Sequence, residues 1–490
     1  MSAKLPQGWI TVRLCEAAEI NPRHPKGLGD AMPVTFVRMA GLSESRPEFQ
    51  FTEERPLGEV RKGFTHFAEG DVLFAKITPC MENGKGAVAR GLRNKLGCGT
   101  TELHVIRLFA GIHPHYLYRF LAQPSIRRAA KENFTGTAGQ ARVPTTFIEE
   151  LEVPLAPPAE QRRIVAKLEK LLGQVNACQQ RLVKIPALLK RFRRAVLAAA
   201  CSGRLSADWR EENPTVEPTF ETLQAHAQRT AGRERNTRRM KPAQGLTLLD
   251  YSDEFPASWV WLKVRELVER GAIFDVQDGN HGELYPRVED FGDVGMPYIS
   301  AEHVINDRVQ LASAPRLKRE KAQQLRIGFA KANDVILTHN ATVGRVATLP
   351  LDSPDIILST STTYYRVDEA VLLSRYLATF LRSHYFQSQL EAVMEQTTRN
   401  QVSVTKQVEF GIALPPLSEQ QEIVRRVESL FALADQIEAR FTAAQRQVDA
   451  LTPSLLARAF SGKLVPQDPT EEPATELLER IRTEQERHAK

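Results

Sequence analysis

The chain has 490 residues, 42% of them apolar, with 65 basic against 59 acidic side chains and a formal net charge of +6. This excludes a low-complexity or disordered protein, suggests about two to four domains, and permits an anionic partner without requiring one. Five cysteines, all in the first half and without a C-x-x-C pair, argue against a disulfide framework or zinc site. No stretch approaches the roughly 18 apolar residues of a membrane span and the amino terminus lacks a signal core, so a cytoplasmic location is expected.

Residues 1–155 are expected to fold as a compact α/β head. Short β-type runs such as Asp71-Val72-Leu73-Phe74-Ala75-Lys76-Ile77 alternate with glycine and proline. The prolines of Val153-Pro154-Leu155-Ala156-Pro157-Pro158 stop the sheet and stiffen the start of a long helix. Over residues 156–204 apolar side chains alternate at spacings of four and three, through Ile164, Leu168, Leu171, Val175, Cys178, Leu182, Ile185, Leu189, Phe192 and Val196. That is a coiled-coil seam. Glu160 sits at the positive end of its dipole, Pro186 is expected to kink or break it, and Gly203 to stop it. Residues 205–255 read as a linker with a partner-docking segment, whose charged run from Arg233 to Lys241 is solvated and able to touch phosphate.

The plan then restarts. Pro6-x-x-Trp9 recurs as Pro256-x-x-Trp259, Asp71-Val72 as Asp334-Val335, and Glu160-Gln161 as Glu419-Gln420. Residues 256–415 form a second head, and residues 416–463 a second helix. Its seam runs through Ile423, Val427, Leu430, Ala434, Ile437, Phe441, Ala444, Val448, Leu451 and Leu455. Ser418 and Gln421 read as a capping box, Pro453 as a kink and Gly462 as the stop. In the tail, residues 464–490, the apolar Leu464, Val465, Leu477, Leu478 and Ile481 lie exposed unless something covers them. A docked partner is the expected cover, so deletion of the tail should leave both heads folded. Trp9 and Trp259 read as core anchors.

Antiparallel pairing of the helices is favoured, because it sets Lys190, Arg191, Arg193 and Arg194 near Glu419, Glu422 and Glu428 and opposes the two dipoles. The fold class is thus α+β: two α/β heads joined by two long helices packed as an antiparallel coiled coil, with a pseudo-two-fold internal repeat. The seam from Ile164 to Val196 would span roughly 48 Å, against about 34 to 36 Å for a turn of B-DNA, so two heads on such a ruler reach two separated half-sites.

No catalytic constellation is present: Gly462-Lys463 is followed by Leu464 rather than by Ser or Thr, and there is no H-E-x-x-H. Loops combining glycine with donor and acceptor side chains are the candidates for DNA contact. In the first head they supply Lys76, Thr78, Asn83 and Lys85, then Thr137, Gln140 and Arg142; in the second, His339, Asn340, Thr342 and Arg345, then Thr398, Arg399, Asn400 and Gln401.

Residues 71–86 (DVLFAKITPCMENGKG), 136–144 (GTAGQARVP), 154–165 (PLAPPAEQRRIV), 414–424 (LPPLSEQQEIV) and 460–473 (FSGKLVPQDPTEEP) together resemble the specificity subunit of type I restriction-modification systems. The resemblance covers nearly the whole chain, including the duplication. It implies a non-catalytic DNA reader with two target-recognition domains, each binding half of a bipartite site. Conserved helices would separate them and dock two methyltransferase subunits and, in some systems, restriction subunits. Adenine methylation, S-adenosylmethionine and ATP would belong to those partners, with no cofactor on this chain. Ala156 and Ala159 depart from the family's usual proline and polar cap. The reading from a different class is a protein-protein scaffold with two heads.

Overall fold

A computed structural model describes residues 5–137, 141–216, 219–232, 248–395 and 400–489. It divides into two units, Met1–Val183 with Phe441–Lys490, and Lys184–Arg440.

In the first unit the strand Ile10–Arg13 pairs antiparallel with Glu152–Leu155, so the two ends of the head meet. Between them an antiparallel sheet takes the order Ala18–Ile20, Leu103–Leu108, Val72–Ala75, Gly86–Val88. Val72–Ala75 is buried at every position, which is why its sequence is a continuous apolar run rather than an alternation. A second sheet orders Glu53–Pro56, Pro33–Val37, Leu96–Gly99 and Thr65–Ala68, with Pro33–Val37 and Leu96–Gly99 parallel. Buried Asp71 accepts two bonds from Arg107, at 2.9 and 2.8 Å.

The second unit repeats this wiring. Val260–Lys263 pairs with Gly411–Leu414, and the antiparallel sheet runs Ile273–Asp278, Thr362–Val367, Val335–Thr338, Val346–Thr348. Its second sheet centres on Met296–Ile299 parallel to Ile356–Leu358, with one more edge strand, Phe291–Gly292. Asp334 and Arg366 repeat the buried pair, at 3.0 and 2.7 Å.

The first long helix is two helices, Pro158–Leu182 and Ile185–Cys201, with Pro186 in the first turn of the second piece, where its missing N–H costs nothing. The second, Leu417–Phe460, runs through Pro453 as one element. Gln161 N donates to Pro157 O and Gln420 N to Pro416 O, both at 2.9 Å. The second helix therefore begins before Ser418, which lies inside the first turn and does not cap it as expected. Pairing is antiparallel within each unit: Gln179 reaches Asp449 while the earlier Leu168 shares a core with the later Leu456, Ala459 and Phe460, and Arg193 reaches Asp435 and Glu438 while the later Val196 shares a core with the earlier Ile423 and Val427. The expected charge partners were different. Glu422 binds Arg425 and Arg426, Glu428 binds Arg375, and Glu419 is buried, so the basic run of the first helix meets a later stretch of the second.

Both helices end at a left-handed glycine, Gly203 with φ 75° and Gly462 with φ 66°. A Cβ at Gly203 would collide with Pro256, and one at Gly462 with Pro6, so glycine is needed for conformation and for close approach. The chain beyond each stop then closes a head. Ala474 N donates to Gly8 O at 2.9 Å in the first unit, and Thr219 N to Ser258 O at 3.3 Å in the second. The tail helix Ala474–Ala489 buries Leu477, Leu478 and Ile481 in the same core as Trp9, Tyr116 and Leu168, with Leu464 and Val465 packed against it. The expectation that a partner must cover these residues is thereby corrected, because the first head covers them. Among the described residues no helix is long and apolar enough to cross a membrane.

Candidate nucleic-acid interface

In each head the central strand of the antiparallel sheet ends in a loop, and that loop is tied to a second, distant segment by backbone bonds. In the first head Lys76 N donates to Glu102 O at 3.0 Å and Val143 N to Lys76 O at 2.9 Å; in the second, His339 N donates to Ser361 O and Val402 N to His339 O, both at 2.9 Å. Single β-bridges repeat the match, Ile77 with Arg142 and Asn340 with Gln401. Segments separated by about sixty residues thus form one surface per head, and the two halves of each candidate set come together.

The side chains on that surface differ. Arg142 lies flat against Glu102 with bonds of 2.8 and 2.9 Å, and this guanidinium holds the Glu102 carboxyl below its usual range. Thr78 donates to Glu82 at 2.6 Å, exposed Asn83 reaches Glu44 at 3.4 Å, and Lys85 bonds Met39 O at 3.3 Å. Thr137 is exposed. In the second head Asn340 and Thr342 are half-buried, Asn400 and Arg345 are exposed, and Gln401 is half-buried beside Asn340. Gln140, Thr398 and Arg399 lie outside the described residues, as does the charged run from Arg233 to Lys241.

His339 is the correction. It occupies the position of Lys76 but is 1% exposed, and burial holds its imidazole below the usual range. A neutral ring enclosed by the head cannot reach a phosphate, so it belongs to the core and not to the interface. Lys76, by contrast, lines a hollow of about 410 Å3 with Arg23, Arg61, Lys62 and His66. Arg23, Arg61 and Lys62 were missed in the sequence because they come from two separate loops; Arg61-Lys62-Gly63 was the available signal. Beside the hollow, His24 stacks on His66 with centroids 4.5 Å apart, and burial followed by the neighbouring imidazole lowers His24 to about 4, leaving it neutral.

Behind each surface lies a duplicated support. Trp9 Nε1 donates to buried Glu160 and Trp259 Nε1 to buried Glu419, each at 2.9 Å. Buried Gln161 accepts from His113 N and donates to Ala156 O, while buried Gln420 accepts from Leu373 N and donates to Val371 O and Pro415 O. Tyr116 and Tyr376 donate to Pro154 O and Ala413 O at 2.6 and 2.7 Å. The helix start is thus fastened to its head by equivalent residues in both units.

Residues 266–443 match the family described as "Type I restriction modification DNA specificity domain". The type I restriction enzyme EcoEI specificity subunit of Escherichia coli is 26% identical over 92% of this chain and 83% of its own. Two solved structures share the fold. One comes from a study of complex assembly and conformational transition of the type I R-M system, with TM-score 0.61 and 21% identity over 94% of this chain and 99% of that one. The other is the HsdS subunit from Thermoanaerobacter tengcongensis, with TM-score 0.57 and 18% identity over 94% and 99%.

Proposed function

We propose, from the premise that this chain belongs to the family of type I restriction-modification specificity subunits, that each head reads one half of a bipartite, gapped DNA site. The chain thereby directs adenine methylation by two modification subunits and, where restriction subunits join, cleavage. S-adenosylmethionine and ATP are bound by those partners in this reading. The carrying observation is the duplicated surface: one backbone arrangement presents Arg142 in the first head and Gln401 in the second. Like scaffolds with unlike donors and acceptors suit two different half-sites.

The test is co-expression with the neighbouring methyltransferase subunit and mapping of modified adenines by single-molecule sequencing. One gapped, asymmetric motif is expected. Arg142→Ala should relax discrimination in one half only, by about 1–3 kcal/mol or roughly five- to 150-fold at the affected base, and Gln401→Ala should relax the other half. Uniform weakening across both halves would reduce each side chain to a phosphate contact. A stable complex that leaves the genome unmodified would favour a protein scaffold.

A further inference from the structure

Within the second unit, a groove of about 1190 Å3 opens between the helix Ile185–Cys201 and the second head. The helix side presents Lys190, Arg193 and Arg194, and the head side presents Arg345 and Arg382. Two of these cations are already neutralised: Arg193 bonds Asp435 and Glu438 at 2.9 and 2.8 Å, and Arg382 faces Asp307 at 3.4 Å. The remaining three are exposed and form no ion pair among the described residues, the Arg345 guanidinium donating to the backbone Val304 O at 3.0 Å. Two walls that each carry uncompensated positive charge across a cleft are complementary to a polyanion lying between them. The rest of the lining mixes apolar side chains such as Leu197, Val343 and Phe431 with polar ones, among which Thr342, Gln387 and Ser388 offer donors and Glu391 is the remaining carboxylate.

We propose that this groove holds the phosphate backbone of duplex DNA beside the second half-site, with Lys190 and Arg194 of the helix and Arg345 of the head as phosphate contacts. The proposal rests on the DNA-reading function above and adds that the helix is itself part of the DNA-binding surface. Thr342 and Arg345 belong to the candidate reading loop, so the strand held by the helix is the one offered to that loop. The contribution is one-sided. At the corresponding places, 259 residues on, the second helix carries Asp449, Thr452 and Pro453, which supply no cation.

The full-length chain is titrated with a random-sequence DNA duplex over a salt series. The Lys190→Ala/Arg194→Ala variant should bind with a log–log salt slope shallower by roughly two, about 0.9 per lost phosphate contact, and unfold at the wild-type temperature. Arg191→Ala is the control, since Arg191 is an exposed cation of the same helix outside the groove lining. An unchanged slope in the double variant, or a loss of about one in the control, would overturn the proposal while leaving the DNA-reading function standing. Failure of the wild-type chain to bind duplex at low salt would overturn both. Unchanged duplex binding with lost retention of methyltransferase subunits would assign the groove to an acidic protein segment instead.

Discussion

A chain truncated after Gly462 is expected to lose the stability of its first unit while the second keeps its own. The tail helix contributes Leu477, Leu478 and Ile481 to the first core, each under a tenth exposed. At about 1.5–3 kcal/mol per buried aliphatic side chain this is roughly 5–9 kcal/mol as an upper estimate, comparable to the whole stability of a domain. Truncation also removes Glu471 from Arg163 and Gln467 from Glu160. The second unit has its own cover, the helix Thr219–Arg229 with Leu223 buried. Hydrogen exchange on the truncated chain checks this. Protection should fall in the strand Ile10–Arg13 and the helices Pro114–Leu121 and Pro158–Leu182, and persist in Val335–Thr338 and Ser374–Arg382. Equal protection in both chains would mean that the tail is an accessory surface, free for a partner.

Loss of protection in the first unit would contradict the expectation drawn from sequence, and the reason is instructive. Periodicity is local, and it located the seam where packing is strongest: Ile164, Leu168, Val175, Leu189 and Val196 in the first copy, and Ile423, Val427 and Ala434 in the second, are all buried. It failed where a two-helix contact alone must do the burying. Cys178 is exposed, and Ile437 and Leu451 are 40% and 44% exposed, because one partner helix covers only a narrow stripe. The repeated motifs announced two equivalent heads, but not that the segment after each helix closes a head. That closure joins residues hundreds of positions apart, such as Gly8 with Ala474, and no window of sequence contains both. For the same reason His339 looked like a loop donor. Its neighbours Asn340 and Thr342 are partly accessible, and only the fold shows that one step back along the strand lies inside.

The two equivalent glutamates at the helix starts give the sharpest contrast between the copies. Glu160 and Glu419 occupy one structural position and each accepts from a tryptophan, yet their remaining partners differ in charge. Among the described residues Glu160 accepts from Trp9 and Gln467, both neutral, and burial raises its carboxyl above the usual range. Glu419 accepts from Ser206 at 2.6 Å and from Arg210, a guanidinium that also donates to Gly203 O at 2.6 Å. Removing Glu419 leaves that largely buried charge unpaired, for about 3–5 kcal/mol. Glu419→Ala should therefore lower the melting temperature of the second unit by roughly 6–20 °C. Glu160→Gln should be nearly neutral at low pH. A raised carboxyl pKa means that the folded state holds its proton where the unfolded chain has lost it, so this stabilisation is complete below the unfolded value, about 4.3, and is lost as pH rises through the folded value. Glutamine has no proton to lose. The melting temperature of Glu160→Gln should therefore gain on wild type as pH rises from about 4 towards neutrality. A fixed difference across that range would show that Glu160 titrates as it does in the unfolded chain, and the copies would then differ only in the arginine that one of them has recruited.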